Sequence, residues 1–461
     1  MLRHYRREPR QKEDIQGKDV MAKRIAPGFD NPAATGYPQV NSIVSASLLR
    51  SGLYLLLFGV CAIPLGFAQR QPLALRSSRP PPAPTVRPTP TPRARPTPRP
   101  NPALDKSVAW QNNAVHDGFN SSSQLATPLA LRWSRDFRRV TSISYPLIAQ
   151  GLVFVTTATD QTETLMALSQ QTGATIWSAD VDGLYGFANA AYDSGKVFVV
   201  NFDGLLKAFD ASTGTLLWSV DLADQFGNFT SPPTAVNGIV FTSGQSVLYA
   251  VDERNGAILW TMLVEYGDHS SPAVVQGNVY VSYACPQAYG FNAATGQELW
   301  HYSSCCSGGG GKTPVVHAGQ VYVRDSFCGN TSGLVLDATT GNKTGEFNCD
   351  VPPAFMGNLA LYLQSGTLRG VDIPSGQVLW SFAGDGGLTS APLIVNQTIY
   401  IGSSSGTLYG LNTSGQEIWS TQVGAAIPAP DEQNALLRTG LGAGDGLLIV
   451  PAGNILAAYG N

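Results

Sequence analysis

The feature that most constrains this chain is a repeat of about forty residues that recurs from residue 144 to the C-terminal region. Four copies contain a Gly-x-Val-aromatic-Val element, at residues 151–155, 195–199, 277–281 and 319–323, and residues 238–242 are a variant of it. A second element follows, in which an apolar run ends in Asp or Asn, a Thr-Gly or similar turn comes next, and a tryptophan stands four residues after the glycine. The tryptophans at 133, 177, 218, 260 and 300 are 44, 41, 42 and 40 residues apart. Such a period indicates a ring or solenoid built from one supersecondary unit.

The short apolar runs inside each unit indicate β-strands. They are four to six residues long, rich in Val, Ile, Tyr and Phe, and separated by turn pairs such as Asn-Gly and Thr-Gly. Four strands make a sheet too small to cover its own faces, so we expect neighbouring sheets to pack radially into a closed ring. We count eight units, which start near residues 144, 187, 230, 270, 313, 353, 389 and 438.

The first and last parts of the repeat region complete each other. The eighth unit, up to Asn461, contains no tryptophan strand, whereas Leu131-Arg132-Trp133 lies before the first complete unit. We therefore expect the Trp133 strand to complete the last blade, which leaves no open edge at the joint. The predicted fold class is all-β: an eight-bladed β-propeller of four-stranded antiparallel blades, with the ring closed by the N-terminal Trp133 strand.

Charge divides the chain into two unlike parts. Residues 1–103 hold 16 Lys and Arg against 5 Asp and Glu, whereas residues 104–461 hold 13 against 27, so the net charge of −3 describes neither part. The acidic part has no basic stripe, and a protein that neutralises phosphates needs clustered Lys and Arg. We therefore expect no nucleic-acid partner.

The N-terminal residues are predicted to deliver the propeller rather than to fold with it. Residues 1–50 are basic and have no apolar period, which is typical of a disordered tail. Residues 51–68 carry no charge over 18 positions, a length between a signal-peptide core and a membrane span. A signal cleaved after Ala68 and a retained anchor both stay open. A lipid on Cys61 is disfavoured, because Val60 stands where such a site needs a small residue.

Residues 69–106 form the predicted linker between this segment and the propeller at 107–461. Between Pro80 and Pro102 there are 11 prolines in 23 positions, interleaved with Arg and Thr. Each proline fixes φ and removes a donor, which favours extended polyproline II. At about 3.1 Å per residue the stretch reaches on the order of 70 Å. It is either a passive spacer or a segment whose arginines contact an anionic wall or lipid surface.

The cysteines indicate the compartment. Five of the six lie in the repeat region, without the Cys-x-x-Cys spacing of a zinc site. In a blade the second and fourth strands end at one face, and cysteines follow these two strands in units four and five. We predict two disulfides, Cys285 to Cys306 (or Cys305) and Cys328 to Cys349. Each contributes about 3 kcal/mol in the chain-entropy model. Disulfides imply an oxidising environment, so we expect a periplasmic, cell-surface or secreted propeller.

The repeat resembles that of the quinoprotein-like (pyrroloquinoline-quinone-like) β-propeller family. The clearest copy is residues 208–218, Ala-Phe-Asp-Ala-Ser-Thr-Gly-Thr-Leu-Leu-Trp, and residues 110–118 look like the segment before the first blade in many members. The resemblance covers 107–461 and implies an eight-bladed propeller. The family contains alcohol dehydrogenases that bind pyrroloquinoline quinone as well as non-enzymatic members such as outer-membrane assembly lipoproteins, so the fold alone does not decide the function.

The resemblance also implies roles for the aromatic and cysteine residues. Family members dock each repeat tryptophan between adjacent blades. The corresponding side chains here are Trp133, Trp177, Trp218, Trp260, Trp300, Trp380 and Trp419. Unit five has Gly345 at this position, and we expect the Cys328–Cys349 bridge to offset the missing contact. Quinoprotein dehydrogenases carry a vicinal disulfide early in the propeller; adjacent Cys305 and Cys306 lie later, which disfavours that alternative pairing.

A possible funnel face is formed by Phe229, Tyr266 and His269, together with the Ser/Thr-Pro segments that enter the first strand of several units. These residues either ring a shallow axial site or cap the starts of strands.

The predicted function is that of an exported, non-enzymatic binding or scaffold module. We expect a protein or cell-envelope partner, a membrane-tethered or secreted monomer, no catalytic residue and no cofactor or metal. The alternative is an oxidoreductase that uses pyrroloquinoline quinone with calcium. Such enzymes usually have large insertions between blades, whereas these units start only about 33 to 47 residues apart.

Overall fold

A computed structural model describes the protein from Asp105 to Asn461. Within that range the description omits residues 122, 124, 160–161, 184–187, 223–228, 265–269, 284–286, 304–310, 325–332 and 433–436. The boundaries predicted for the tail, the uncharged segment and the linker lie almost entirely outside the described residues and stay predictions. Among the described residues there is no helix long and apolar enough to cross a membrane.

The first part of the described chain contains a short 3-10 helix, Trp110–Asn112, two strands that precede the blades, and blades 1 to 4. The two preceding strands are β1 (Phe119–Asn120) and β2 (Ala130–Asp136). Blade 1 contains β3 (Ser142–Ile143), β4 (Leu147–Ala149), β5 (Leu152–Ala158), β6 (Glu163–Ser169) and β7 (Thr175–Asp180). Blade 2 contains β8 (Asn189–Asp193), β9 (Lys196–Val200), β10 (Leu205–Asp210) and β11 (Leu216–Asp221). Blade 3 contains β12 (Thr234–Val236), β13 (Ile239–Ser243), β14 (Val247–Asp252) and β15 (Ile258–Leu263). Blade 4 contains β16 (Ala273–Val275), β17 (Asn278–Tyr283), β18 (Gln287–Asn292) and β19 (Glu298–Tyr302).

Blades 5 to 8 complete the ring. Blade 5 contains β20 (Val315–His317), β21 (Gln320–Val323), β22 (Gly333–Asp337) and β23 (Lys343–Phe347). Blade 6 contains β24 (Ala354–Met356), β25 (Leu359–Gln364), β26 (Thr367–Asp372) and β27 (Val378–Phe382). Blade 7 contains β28 (Leu393–Val395), β29 (Thr398–Gly402), β30 (Thr407–Asn412) and β31 (Glu417–Gln422). Blade 8 contains β32 (Gly442–Gly444), β33 (Leu447–Ala452) and β34 (Ile455–Gly460), and its outer strand is β2.

The predicted ring closure is confirmed by strand pairing. Strand β2 is antiparallel to β34, with Trp133 opposite Ala458. The N-terminal strand therefore supplies the outermost strand of the last blade, and the eight-bladed antiparallel propeller expected from the repeats is the fold. Two details depart from four strands per blade, because β3 and β4 both pair with β5, and β1 adds to β28 in parallel.

The turn before each outer strand shows why the repeat contains Asp-x-x-Thr-Gly. In blade 2 the Asp210 Oδ1 accepts hydrogen bonds from the backbone N–H groups of Ser212 and Thr213, at 3.0 and 2.9 Å. Gly214 then donates its N–H to the Asp210 carbonyl over 2.9 Å with φ at +71°, a conformation that side chains disfavour. The hydroxyls of Ser212 and Thr213, with these N–H groups, lower the pKa of Asp210. The turn thus fixes the direction in which each outer strand leaves.

Burial places the core between successive blades. The middle strands are almost wholly buried, as in β9 and β33, whereas outer strands such as β7 and β11 alternate exposed and half-buried positions. Period-two alternation puts one face of the outer strand against the neighbouring blade and the other toward solvent. Each hydrophobic cluster accordingly draws residues from two or more adjacent blades, which holds the ring together.

Candidate functional site

The segment that precedes the blades, residues 105–120, is packed against the innermost strands of the ring. We call it the lead-in. Its backbone carbonyls accept hydrogen bonds of 2.7 to 3.0 Å from the innermost part of blades 2, 4, 5, 6, 7 and 8, and it forms an antiparallel bridge to Ile148 of blade 1. The donors are Tyr192, Val274, Val316, Phe355, Ile394 and Asp445. Because the innermost strands surround the axis, the lead-in fills the centre of the ring. The sequence motif identified this segment but did not indicate that role.

His116 anchors the lead-in from within. Its side chain is fully buried, with Nδ1 2.7 Å from the Trp110 carbonyl oxygen and Nε2 3.1 Å from the Pro272 carbonyl oxygen. Burial lowers the pKa of His116 to about 4, outweighing the two carbonyls, which raise it. The imidazole is therefore neutral near pH 7, and its one N–H is used inside the protein. This arrangement makes His116 a structural residue.

The centre of the ring also contains a cluster of buried charged side chains, which we call the axial cluster. It is formed by Arg324, Glu432 and Arg438. Arg324 Nη1 lies 2.7 Å from Glu432 Oε2, its Nη2 lies 2.8 Å from Oε1, and Arg438 Nη1 lies 3.4 Å from Oε1. The three side chains are only 2 to 4% exposed. Glu432 and Arg438 come from the connection between blades 7 and 8, whereas Arg324 follows the second strand of blade 5, so the cluster spans the centre of the ring.

Further contacts of Arg438 tie the same connection to other parts of the centre. Its guanidinium donates to Thr313 Oγ1 over 3.2 Å and lies 5.8 Å from the centroid of the Trp110 ring. Its backbone N–H donates to Asn189 Oδ1 over 3.1 Å, and its carbonyl accepts from the Tyr145 N–H over 2.8 Å. Blades 1, 2 and 5 and the lead-in are therefore all held by one side chain and its backbone.

The electrostatics of the axial cluster favour the charged forms. Burial opposes ionisation of Glu432, but Arg324 and Arg438 outweigh it and lower the pKa of Glu432 to about 2. Burial lowers the pKa of Arg438, and the attraction of Glu432 opposes that shift. Breaking a buried ion pair typically costs 3–5 kcal/mol, about the largest effect of a single substitution. The cluster therefore locks the last connection onto the axis.

The buried carboxylate of the axial cluster does not fit the calcium that a quinoprotein oxidoreductase requires. Within the described residues, no group of three or more His, Cys, Asp or Glu side chains is placed to hold a metal ion. Glu432 is the carboxylate of the axial cluster, and both of its oxygens face guanidinium groups. A calcium ion there would meet two cations in place of further oxygen ligands.

The predicted funnel residues are only partly covered by the structure. Phe229 is fully buried, with its ring centroid 6.0 Å from that of Tyr249 and its edge against Gly204, so it supports the interior of blades 2 and 3. Tyr266 and His269 lie outside the described residues, and the funnel face as a ligand site stays a prediction.

The Ser and Thr residues that enter the first strands are buried and use their hydroxyls within the protein. Ser231 Oγ donates to the Ser270 carbonyl over 2.5 Å, and Ser271 Oγ donates to the Pro232 carbonyl over 2.8 Å. Ser390 Oγ accepts the N–H of Gly402 over 2.8 Å. Of the two interpretations, these contacts favour the capping of strand starts and the joining of blades.

The predicted disulfides are not tested by the structure. Cys285, Cys305, Cys306 and Cys328 lie outside the described residues. Cys349 is buried and carries a thiol whose Sγ donates to the Val351 carbonyl over 2.8 Å. Burial raises the pKa of Cys349 to about 11. As a thiol it is therefore neutral and inert at physiological pH, and its bridge to Cys328 stays a prediction.

The repeat tryptophans form the contacts between blades near the outer edge. In the described part of the chain, six indole N–H groups donate over 2.8 to 3.0 Å to a carbonyl in the next blade. The pairs are Trp133 to Gln170, Trp177 to Ala211, Trp218 to Glu253, Trp260 to Ala293, Trp300 to Ala338 and Trp380 to Thr413. Trp419 instead meets Tyr459 of blade 8 edge to face, with ring centroids 5.8 Å apart. Each of the six hydrogen-bonded indoles thus combines a buried or half-buried ring with one satisfied donor.

Blade 5 breaks this pattern in two paired positions. The residue opposite each tryptophan on the neighbouring strand is Ala or Gly, as in the pairs Ala167–Trp177 and Gly290–Trp300. In blade 5 the pair is Val335 opposite Gly345. The larger side chain of the pair is thus on β22 in blade 5 and not on the outer strand β23. Val335 fills part of the volume that the indole occupies in other blades, but it places no ring against blade 6.

The solvent-facing side of the outer strands is apolar on most blades. Just before the tryptophan, an Ile or Leu side chain is 43 to 58% exposed on six blades: Ile176, Leu217, Leu259, Leu299, Leu379 and Ile418. One position earlier, blades 2, 3, 6 and 8 add Leu216, Ile258, Val378 and Leu131, and blade 3 also adds Leu263, which is 81% exposed. We call this surface the outer rim. Exposed apolar patches of this kind mark contacts with other macromolecules.

Comparison with known proteins agrees with this architecture. The profile of the family described as outer membrane protein assembly factor BamB matches residues 114–246, 244–427 and 364–458. The BamB of Shewanella oneidensis is 24% identical over 306 residues, covering 57% of this chain and 75% of that protein.

Two solved structures share the fold. The crystal structure of BamB from Moraxella catarrhalis has a TM-score of 0.56 at 18% identity and covers 72% of this chain and 100% of that one. The quinohemoprotein alcohol dehydrogenase of Comamonas testosteroni has a TM-score of 0.62 at 14% identity and covers 77% and 80%. At such identities both structures show the fold alone. The family profile spans well over half of the chain, and this protein therefore belongs to the family of quinoprotein-like propellers described as outer membrane protein assembly factor BamB.

Proposed function

We propose that this chain is an extracytoplasmic, non-enzymatic scaffold that binds a protein partner during the assembly of outer-membrane proteins. The observation that carries the proposal is the match of the assembly-factor family across 114–458. The expectation of an exported protein drawn from the cysteines agrees with it. A retained anchor at 51–68, followed by the proline-rich linker, would hold the propeller as a monomer near a membrane, whereas a signal cleaved after Ala68 would release it.

The outer rim of blades 2 and 3 is the proposed partner surface. Leu216, Leu217, Ile258 and Leu259 are 44 to 49% exposed on adjacent outer strands, and Leu263 extends the patch. Outer strands also have one edge that no strand of the same blade covers, which allows a partner strand to add to the sheet. Main-chain pairing combined with apolar side-chain contacts would suit an unfolded or extended polypeptide.

The experiment uses cells of the source organism. Deletion of the gene is expected to lower the amount of folded outer-membrane proteins, and a photo-crosslinking residue at Leu259 is expected to capture a component of the assembly machinery. With the crosslinker kept at Leu259, Leu217→Arg on the adjacent outer strand should lose this capture with an unchanged melting temperature, whereas Ser381→Arg, at an exposed polar position on the outer strand of blade 6, should keep it. Normal outer-membrane protein levels after deletion would contradict the proposal.

The oxidoreductase alternative has a separate test. Purified protein is titrated with pyrroloquinoline quinone and calcium, and dye-linked alcohol oxidation is measured. Saturable binding together with turnover would replace the scaffold proposal, because a scaffold supplies neither.

A further inference from the structure

The junction between blades 5 and 6 contains an open slot at the place that an indole fills elsewhere in the ring. At six other junctions the ring of a tryptophan covers a glycine of the following blade so closely that an added methyl group would come within 3.0 Å of it. These glycines are Gly173, Gly214, Gly256, Gly296, Gly341 and Gly415. Gly376 has the same position in blade 6, and a methyl group added there would meet no atom of the described residues within 4 Å. The receiving surface is therefore present without its ring.

The slot is a cavity of about 460 Å³ between the two blades. Its floor is aromatic, because the Phe347 ring centroid lies 5.4 Å from those of both Tyr322 and Tyr362. Polar side chains also line the slot, where Arg369 Nη1 donates to Gln364 Oε1 over 2.7 Å. A lining that combines aromatic rings with polar groups suits a flat aromatic side chain that carries one polar atom.

The repeat also supplies the hydrogen-bond acceptor. At five junctions the carbonyl that accepts the indole N–H belongs to the residue three positions before the covered glycine, as in Ala211 with Gly214 and Ala338 with Gly341. The corresponding residue before Gly376 is Ile373, which lines the slot. A phenyl ring has no N–H for this carbonyl, so the geometry favours indole over phenyl.

We propose that this slot binds the tryptophan side chain of a partner polypeptide. All eight tryptophans of this chain lie between Trp110 and Trp419 and belong to the propeller, so its own N-terminal tail cannot supply the ring. The inference deepens the proposed function, because it assumes that the occupant is a protein partner. It places a second contact on the outer rim, away from blades 2 and 3.

The test uses N-acetyl-tryptophanamide and the blocked peptide Leu-Leu-Trp-Ser, which copies residues 216–219 of an outer strand. Binding is followed by NMR on the purified protein, with Gly376 and Tyr362 as reporters. We expect saturable chemical-shift changes, at least tenfold weaker binding of N-acetyl-phenylalaninamide than of N-acetyl-tryptophanamide, and tighter binding of the peptide than of N-acetyl-tryptophanamide. No saturable change, equal binding of the phenylalanine and tryptophan probes, or weaker binding of the peptide than of N-acetyl-tryptophanamide would overturn the inference.

Two variants locate the effect. Val335→Ala/Gly345→Trp gives the chain its own ring and should abolish probe binding, whereas Glu298→Trp adds an exposed tryptophan on blade 4 and should leave it intact. Probe binding that survives in the first variant would overturn the slot assignment. These outcomes are independent of the deletion phenotype. If the probes do not bind but a partner is still captured at Leu259, only the proposed tryptophan slot is wrong. If the probes bind but no partner is captured and deletion has no effect, only the proposed function is wrong.

Discussion

The junctions on the two sides of blade 5 differ at one cross-strand pair, Gly290–Trp300 in blade 4 and Val335–Gly345 in blade 5, and the difference shows what the repeat tryptophan contributes. Blade 4 sends Trp300 into blade 5, where its N–H reaches the Ala338 carbonyl over 2.9 Å and its ring covers Gly341. Blade 5 has no indole to dock on blade 6, because Gly345 stands in its place. The ring nevertheless stays closed, so the fold forms with one junction that lacks a docking indole.

Blade 5 compensates locally with aromatic residues. Tyr322 packs 4.4 Å from Phe355 of blade 6, and Phe347 packs against Tyr362 of blade 6. These rings join the two blades further along the sheet, while the outer part of the junction stays open. The slot is thus a local gap in a junction that is otherwise well packed. A gap held open by packed neighbours suits a ligand.

The largest expected change in stability comes from removing the docking indole between blades 4 and 5, which makes this junction like the one between blades 5 and 6. Trp300→Ala removes a buried ring and its hydrogen bond and should lower the free energy of unfolding by about 3–5 kcal/mol. Denaturant unfolding of the purified protein measures this. A loss below about 1 kcal/mol would mean that docking tryptophans are dispensable and that the open junction is ordinary.

The predicted Cys328–Cys349 bridge is the next largest effect. If it offsets the missing ring, Cys328→Ser should lower stability by about 3 kcal/mol under oxidising conditions and by nothing in reductant. Thermal melts with and without reductant, with mass mapping of the cysteines, make the comparison. Equal melts under oxidising conditions would show that the junction holds without a bridge.

The two glycines that face these junctions provide a matched pair. Gly341 has φ of +71° and Gly376 has φ of +68°, so alanine costs about 1–2 kcal/mol of backbone strain at either position. At Gly341 the new methyl group would also lie 2.7 Å from the Trp300 ring, which should add about 1–3 kcal/mol. Chemical denaturation of both variants tests this, and equal losses would mean that the slot is closed in solution.

The smallest expected effect is an increase in stability from placing an indole in the slot. The substitution Val335→Ala/Gly345→Trp reproduces the Ala167–Trp177 pair of blade 1 and should stabilise the protein by about 0.5–2 kcal/mol by filling the slot. Alanine is already tolerable at Gly345, where the nearest Val335 atoms lie 3.8 Å from an added methyl group. The single substitution Val335→Ala is the control and should destabilise. A double variant no more stable than this control would show that the ring does not fit.

Much of this architecture follows from the sequence, because a propeller is made of local strand pairs repeated at a fixed period. The eight units, the antiparallel blades and closure by the Trp133 strand were all predicted from spacing, turn residues and the missing last strand. The absence of a docking ring at Gly345 was equally visible. A repeat makes each position comparable with seven others, so that one exception stands out.

The centre of the ring was beyond the reach of sequence reasoning. The lead-in and the connection before blade 8 lie outside the repeat, and no period indicates where they pack. Arg324 and Glu432 are 108 residues apart, and their pairing depends on ring closure, which brings blade 5 and the last connection to one axis. Nor does sequence indicate that Phe229 points into the core, since a loop aromatic has no neighbours to set its direction.

The sequence by itself therefore determined the structure of one blade, the number of blades and the closure of the ring by the Trp133 strand, because these depend on local turns and on hydrophobic alternation within about forty residues. Only the tertiary structure decided what fills the axis and whether the neighbours of Gly345 close over the gap. Both depend on side chains from distant parts of the chain competing for the same volume, and packing of that kind is settled in three dimensions.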